Sequence, residues 1–235
     1  MDVEVAESLA RAARRFSSQQ TVDGTLDAIV QSAEREIPGV DHAGVSISRR
    51  NDTMETIAGT DPLVWELDAL QYDLREGPCY HAIRSPQRLV VMEHARQQRR
   101  WPRYVPEAVQ RGVRSQVGLL LYVERRTLGA LTLYSTSTDT IGADAVHLAE
   151  LFATHAALAI ANAREVGELR AGLAARKTIG QALGILMERH HISEDAAFAF
   201  LSRTSQTSNT KLRHIAAELV EKPALSRLHT CDERV

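Results

Sequence analysis

At 235 residues the chain is longer than one average domain and can hold two modest ones. Apolar residues make up 44% and charged residues 25%, values that argue against wholesale disorder, and a net charge of −2 excludes strong non-specific attraction of the whole molecule to nucleic acid. Cys79 and Cys231 are its only cysteines, too few for the disulfide framework of a small secreted domain.

The acidic start Met1-Asp2-Val3-Glu4 lacks the basic region and apolar run of a signal peptide, and no apolar stretch is long enough to span a bilayer, so a soluble cytoplasmic protein is expected. Residues 3–19 place Val5, Leu9, Ala12 and Phe16 on one narrow line, which predicts an amphipathic helix suited to a packing seam. A second helix follows Asp23-Gly24, carries Leu26, Ile29, Val30 and Ala33, and stops at Pro38-Gly39. From Ala43 the period becomes two. Val45 and Ile47 alternate with Ser46 and Ser48, Arg49–Asp52 turns the chain, and Met54 and Ile57 fall in the return strand.

Pro62 opens a helix holding Leu63, Trp65, Leu67 and Leu70, which Glu76-Gly77-Pro78-Cys79 breaks. Leu89-Val90-Val91 reads as a short buried strand, and residues 94–104 as a basic loop or short helix. The segments Gly118–Val123 and Thr127–Tyr134, joined at Glu124-Arg125-Arg126, form the clearest hairpin. Both strands are apolar at nearly every position, which puts the hairpin at the centre of a sheet covered on both faces.

After Gly142 the chain is helical, with no proline before Pro223. Leu148, Phe152, His155, Ala159, Asn162, Val166, Leu169, Leu173 and Arg176 follow a four-three repeat. Three readings of this seam stay open: two copies of the helix pair along it, it pairs with the 3–19 helix, or it is a closing helix on its own sheet that ends near Ala163. Charge shifts along the chain, from 18 Lys+Arg against 21 Asp+Glu in residues 1–164 to 9 against 7 in residues 165–228.

Enzyme chemistry finds little support. Cys79 stands beside Tyr80 and His81, but neighbours on a loop seldom point at one another, and a thiol-based reductase needs a resolving thiol where Cys231 lies far along in the tail. Redox sensing by Cys79 is a further reading that depends on its exposure. No HExxH or CxxC spacing suggests a metal, and the glycines are too scattered to cradle a phosphate. No catalytic residue, metal or required cofactor is therefore assigned.

The order hairpin, helical crossing region, Gly-Pro-Cys, Leu-Val-Val strand, apolar hairpin and closing helix resembles a GAF domain over about residues 20–163. Ile179, Ala182, Gly184-Ile185-Leu186-Met187, then Ser193, Ala197-Phe198 and Leu201, then Ser205-Gln206, Asn209, Lys211-Leu212-Arg213 and Ala216 resemble the ANTAR domain. The first resemblance implies an α/β (α+β) sensor domain with a mixed, largely antiparallel sheet. The second implies a long helix leading into an all-α three-helix RNA-binding module of transcription antiterminators. The corresponding bounds are an N-terminal helix at 1–19, GAF at 20–163, ANTAR at 164–225 and a tail at 226–235.

The residues agree with a three-helix bundle. Ile179, Leu183 and Leu186 share a face, Gly184 admits a close neighbour, Ser193 caps the second helix, Ala197, Phe198 and Leu201 pack inward, and Ser208 or Asn209 caps the third. Met187 reads as core. Arg176, Lys177, Gln181, Arg203, Asn209, Lys211 and Arg213 remain outside, where Arg and Lys can meet phosphates and Asn and Gln can meet exposed base edges. Spacing alone favours ordinary solvated faces, whereas the ANTAR resemblance implies contact with leader-RNA hairpins; no DNA or membrane partner is expected, and a homodimer formed along the seam would grip two hairpins. The GAF resemblance implies a pocket under residues 60–105 that Trp65, Tyr72, Cys79, Tyr80 and Trp101 would line if it holds an unidentified small molecule; the same aromatics read equally as core. The alternatives are a GAF-based dimer whose helical tail docks another protein, and a GAF-fold redox enzyme.

Overall fold

A computed structural model supplies the fold and describes residues 3–48, 53–124 and 126–221. The predicted turn at Arg49–Asp52, Arg125, Pro223, Cys231 and the tail at 226–235 lie outside the described residues. The chain divides into two units, Met1–Glu165 and Val166–Val235. Among the described residues no helix is long and apolar enough to cross a membrane.

The first unit opens with helices α1 (Val3–Ser17) and α2 (Val22–Glu36). Thr21 caps α2 by accepting the Gly24 N–H at 3.1 Å. Strands β1 (His42–Ser48) and β2 (Met54–Gly59) follow, then α3 (Pro62–Leu74), capped by Asp61 and started by Pro62. Helix α4 (Pro78–Arg84), strand β3 (Leu89–Met92), a short 3-10 turn at Ala95–Gln97 and helix α5 (Tyr104–Gln110) lead to β4 (Ser115–Val123) and β5 (Arg126–Ser135). The strands lie in the order β2-β1-β5-β4-β3, and every pairing is antiparallel. The apolar hairpin β4–β5 is thus interior, as its composition predicts.

Alternation gives the sheet two different faces. Ala43 and Val45 of β1, Val117, Leu119 and Leu121 of β4, and Leu131 and Leu133 of β5 point to one side, where they form a core with α1, α2 and the start of α6 (Ala143–His190). Phe16 of α1 meets Phe152 of α6 edge to face at 5.3 Å. The opposite face carries Ser46, Gln116, Thr132 and Tyr134, and there α3, α4 and α5 supply Val64, Leu67, Ala82, Tyr104 and Ala108, joined by Trp101 from the segment before α5. The first hairpin forms as the period-two spacing predicts, and β1 is buried from Ala43 to Ile47, Ser46 included, because helices cover both faces.

Several expectations change for local reasons. Gly-Pro-Cys ends α3 but also starts α4, since Pro78 suits the first turn of a helix and Gly77 adopts φ 105. Residues 94–104 take the loop alternative of their reading, with the 3-10 turn at Ala95–Gln97 inside it and α5 starting at Tyr104. Leu148 and Phe152 of the four-three repeat are used in the core of the first unit, so the seam is not free along its length.

The second unit contains the C-terminal part of α6, which runs unbroken through residues 143–190, with α7 (Glu194–Ser208) and α8 (Leu212–Glu221). Its core consists of Ala182, Leu183, Leu186, Ala197, Leu201 and Ala216, flanked by Ile179, Ile192, Leu212, Ile215 and Leu219. Ser193 caps α7 as expected, accepting the Ala196 N–H at 3.3 Å. Phe198 does not pack inward: it is 49% exposed, as is the neighbouring Phe200 at 54%. Met187 is also exposed rather than core, and nothing lies within 4 Å of where a Cβ on Gly184 would stand, so that glycine serves no close approach. Asn209 caps the end of α7 in a left-handed conformation (φ 51) instead of starting α8, and the Ser208 hydroxyl donates back to Thr204 O.

Candidate functional site

In the first unit, attention falls on the polar face of the sheet. Asp68, on α3, is fully buried and accepts four hydrogen bonds: Tyr134 Oη at 2.5 Å and Gln71 Nε2 at 3.2 Å on Oδ1, Thr56 Oγ1 at 2.9 Å and Ser46 Oγ at 3.1 Å on Oδ2. Burial nevertheless wins over these donors and pushes its carboxyl up to about 6. Tyr72 donates to Ser46 Oγ and lies 3.7 Å from Cys79 Sγ, and Gln71 Oε1 accepts the Cys79 N–H at 2.9 Å. Tyr104 Oη donates to Gln116 Oε1 at 2.7 Å. The result is a buried hydrogen-bonded network in which, among the described residues, Gln116 Nε2 has no hydrogen-bond partner.

The network is tightly covered. A Cβ on Gly118 would fall 2.5 Å from the Pro78 carbonyl oxygen, and one on Gly44 would fall 2.4 Å from Val64 Cγ1. Helices α4 and α3 therefore rest directly on the sheet backbone, and these glycines are what permit it.

The five aromatic and thiol residues expected to line a pocket are separated accordingly. Trp101 is core, its indole N–H donating to His81 Nδ1 at 2.9 Å. Cys79 is buried, and desolvation together with the Asp68 charge pushes its thiol up to about 12. Burial thus disfavours the thiolate that nucleophilic catalysis and redox sensing would use, and His81 Nδ1 accepts from Trp101. Trp65 is 43% exposed on α3. Tyr72, which meets the Cys79 thiol, and Tyr80 line a recess together with Arg75 and Arg84. Sequence reasoning missed Asp68 and its partners, which no motif marks.

In the second unit all seven expected RNA-contact residues are exposed. Arg176, Lys177 and Gln181 are on α6, Arg203 on α7, Asn209 at its end, and Lys211 and Arg213 at the start of α8. Lys177 and Gln181 stand one turn apart, opposite the buried line of Ile179, Leu183 and Leu186. Arg176 instead continues the line of Leu169 and Leu173.

Asn209, Lys211 and Arg213 gather in one short connection. Thr210 N donates to Ser205 O at 3.2 Å, the Ser205 hydroxyl donates to Thr210 O at 2.6 Å, and His214 N donates to Lys211 O at 2.8 Å. A connection so pinned holds its cation and amide side chains on a defined backbone. Arg213 Nε donates to His214 Nε2 at 3.3 Å. Among the described residues, no group of His, Cys, Asp and Glu side chains is placed to hold a metal ion.

Residues 19–161 match the family model of the GAF domain, and residues 167–220 match that of the ANTAR domain. No curated protein gives a significant match. Among solved structures, the GAF domain of an Acinetobacter phosphoenolpyruvate-protein phosphotransferase is 17% identical with a TM-score of 0.56, the match covering 72% of this chain and 99% of that one. The chromophore-binding domain of an unusual bacteriophytochrome from R. palustris is 12% identical with a TM-score of 0.53, covering 69% and 62%. The photosensory core module of a Stigmatella aurantiaca phytochrome is 13% identical with a TM-score of 0.59, covering 86% of this chain and 44% of that one. Identities this low establish a shared fold alone.

Proposed function

The chain belongs to the GAF domain family and carries an ANTAR domain behind it, and from that premise we propose that it is a transcription antitermination regulator whose ANTAR module binds tandem hairpins in nascent leader RNA under control of the GAF domain. The observation that carries the reading is the ANTAR match over 167–220, within which seven cationic and amide side chains are exposed on or beside the three helices. Three or four of Arg176, Lys177, Arg203, Lys211 and Arg213 supply phosphate contacts, and Gln181 and Asn209 read unpaired bases.

Held by the protein, the paired-hairpin form of the leader keeps the overlapping terminator from forming, and polymerase continues. No covalent step falls to any side chain. The protein works as a homodimer in the cytoplasm, each copy holding one hairpin, so that avidity adds to a modest single-site affinity. Support for pairing comes from Leu169 and Leu173, 63% and 66% exposed at the four-residue spacing of the seam.

Single-round transcription across a template encoding two leader hairpins and a terminator tests this. The full chain raises read-through, and Lys211→Gln/Arg213→Gln removes the effect while the protein stays folded. Read-through unchanged by the wild-type chain would refute it.

A further inference from the structure

Four arginines stand between residues 96 and 103, and the fold gives them different settings. Arg103 reaches Glu76 at 3.9 Å and donates to Leu74 O at 3.3 Å, and Arg100 lies over the Trp101 ring, 4.8 Å from its centroid. Arg96 and Arg99 are exposed, and among the described residues their guanidiniums make neither an ion pair nor a hydrogen bond. These two line a recess of about 550 Å³ beside α5.

The floor of the recess is apolar for a reason visible in the spacing. Pro102, Val105, Pro106 and Val109 follow one line along α5 and the turn before it, while Tyr104 and Ala108 lie on the other side of the helix, fully buried in the core. Val105 and Val109 also pack against that core, which holds the floor in place. Pro102 and Pro106 are exposed, and their rings lose no rotamer freedom when covered. The loop beside it is pinned: Gln98 Oε1 accepts the N–H groups of Arg99 and Arg100 at 3.0 and 2.9 Å, and Gln98 N donates to Ala95 O at 3.1 Å. With its oxygen engaged, the Gln98 side chain has its amide NH2 left for a ligand, a donor like the guanidiniums. Among the described residues the lining holds no carboxylate.

We propose that this recess binds a small amphiphilic anion, a carboxylate or phosphate monoester on an aliphatic body, with Arg96 and Arg99 holding the charged group and the proline and valine floor the body. The site belongs to the first unit and does not depend on RNA binding by the second. Its volume falls within the usual range for small-molecule sites. A guanidinium offers a planar fork that matches carboxylate and phosphate oxygens. No aromatic side chain lines the recess among the described residues, so the floor suits an aliphatic chain. A cation would meet two uncompensated positive charges there.

Titration calorimetry on the full chain tests the site, with octanoate and octyl phosphate as probes, 1-octanol as the uncharged counterpart and acetate as a charge without a body. Runs at about 10 °C and about 35 °C are needed because apolar burial can leave no heat at one temperature. At least one of the two amphiphilic anions binds at about 1 mM or below, and octanol and acetate each bind at least about tenfold more weakly. Arg96→Gln and Arg99→Gln each weaken binding about tenfold, and so does Pro106→Asp, which sets a carboxylate in the floor. Arg14→Gln, on α1, leaves binding unchanged. All four positions are exposed, and the urea transition reported by Trp65 and Trp101 verifies that each variant is folded. Absence of heat from both anions at both temperatures up to about 10 mM overturns the site. Equal binding by the Arg96→Gln/Arg99→Gln protein overturns it too, as does octanol or acetate binding as tightly as the probes.

Discussion

Asp68 makes the stability of the first unit depend on pH in a direction opposite to that of most native carboxylates. Its folded-state value of about 6 stands above the 3.8 of a free aspartate because burial outweighs four hydrogen bonds. Between those two values the folded chain holds more protons than the unfolded one, so stability falls as pH rises through that window and stays lower above it. Each pK unit is 1.36 kcal/mol, which makes the loss about 3 kcal/mol. Asp68→Asn keeps the size and removes the titration. Asp41 and Glu36 act in the opposite sense and cancel in a comparison of the two proteins. Burial alone would raise Asp41, but hydrogen bonds from Ser137, Thr136 and Ser135 hold it low, and the Arg11 guanidinium holds Glu36 low. Urea unfolding followed by tryptophan fluorescence is the assay, since both tryptophans, Trp65 and Trp101, lie in this unit. The stability of the wild type relative to Asp68→Asn should fall by about 3 kcal/mol between about pH 4 and pH 7. A flat difference would refute the raised carboxyl, and a rising one would mean that the four donors outweigh desolvation.

Three further outcomes follow from the packing and the exposed residues. A Cβ on Gly129 would lie 1.8 Å from Ser46 O, so Gly129→Ala should destabilise the first unit by about 3 kcal/mol in the same urea assay, and an unchanged midpoint would contradict the close approach of β5 to β1. In a Cys231→Ser background, native Cys79 at pH 8 should react with iodoacetamide on the order of a thousandfold more slowly than a free cysteine, because a thiol at about 12 is almost wholly protonated. Rapid stoichiometric labelling of the folded protein would overturn that. Leu169→Asp/Leu173→Asp should convert a sedimenting dimer to monomer while leaving the tryptophan-reported transition in place; an unchanged sedimentation coefficient would exclude the seam as the dimer contact.

What the sequence reveals about this fold depends on how far each interaction reaches along the chain. Helices α1, α2 and α7 and the hairpin β4–β5 are legible because their apolar spacing repeats over several turns or strand positions. Helices α4 and α5 have seven residues each, too few for a helical period to emerge. The polar face was hidden for a different reason. Asp68 finds Ser46 22 residues away and Tyr134 66 residues away, and in a strand covered on both faces the alternation of Ser46 with Val45 and Ile47 does not tell a buried polar side from an exposed one. Trp101 and Cys79 looked like pocket residues because their chemistry suits one, whereas burial decides their place.

In the second unit, periodicity identified the apolar side of each helix but not its edges. Ala197 and Leu201 are enough to fill the inner face of α7, which leaves Phe198 outside. Asn209 fell one element away from its expected role because the same residue type favours both helix starts and left-handed helix ends.

The salt dependence of RNA affinity tests the central claim most directly. Fluorescence anisotropy of a labelled tandem-hairpin RNA, titrated with the full chain over a range of salt concentrations, reads how many phosphates the cations of the ANTAR module engage. With three or four contacts, at about −0.7 per contact for unpaired strands, log affinity against log salt should have a slope of about −2 to −3. Lys211→Gln/Arg213→Gln should bring that slope closer to zero by about 1.4. Absence of binding, or an affinity indifferent to salt, would contradict the account.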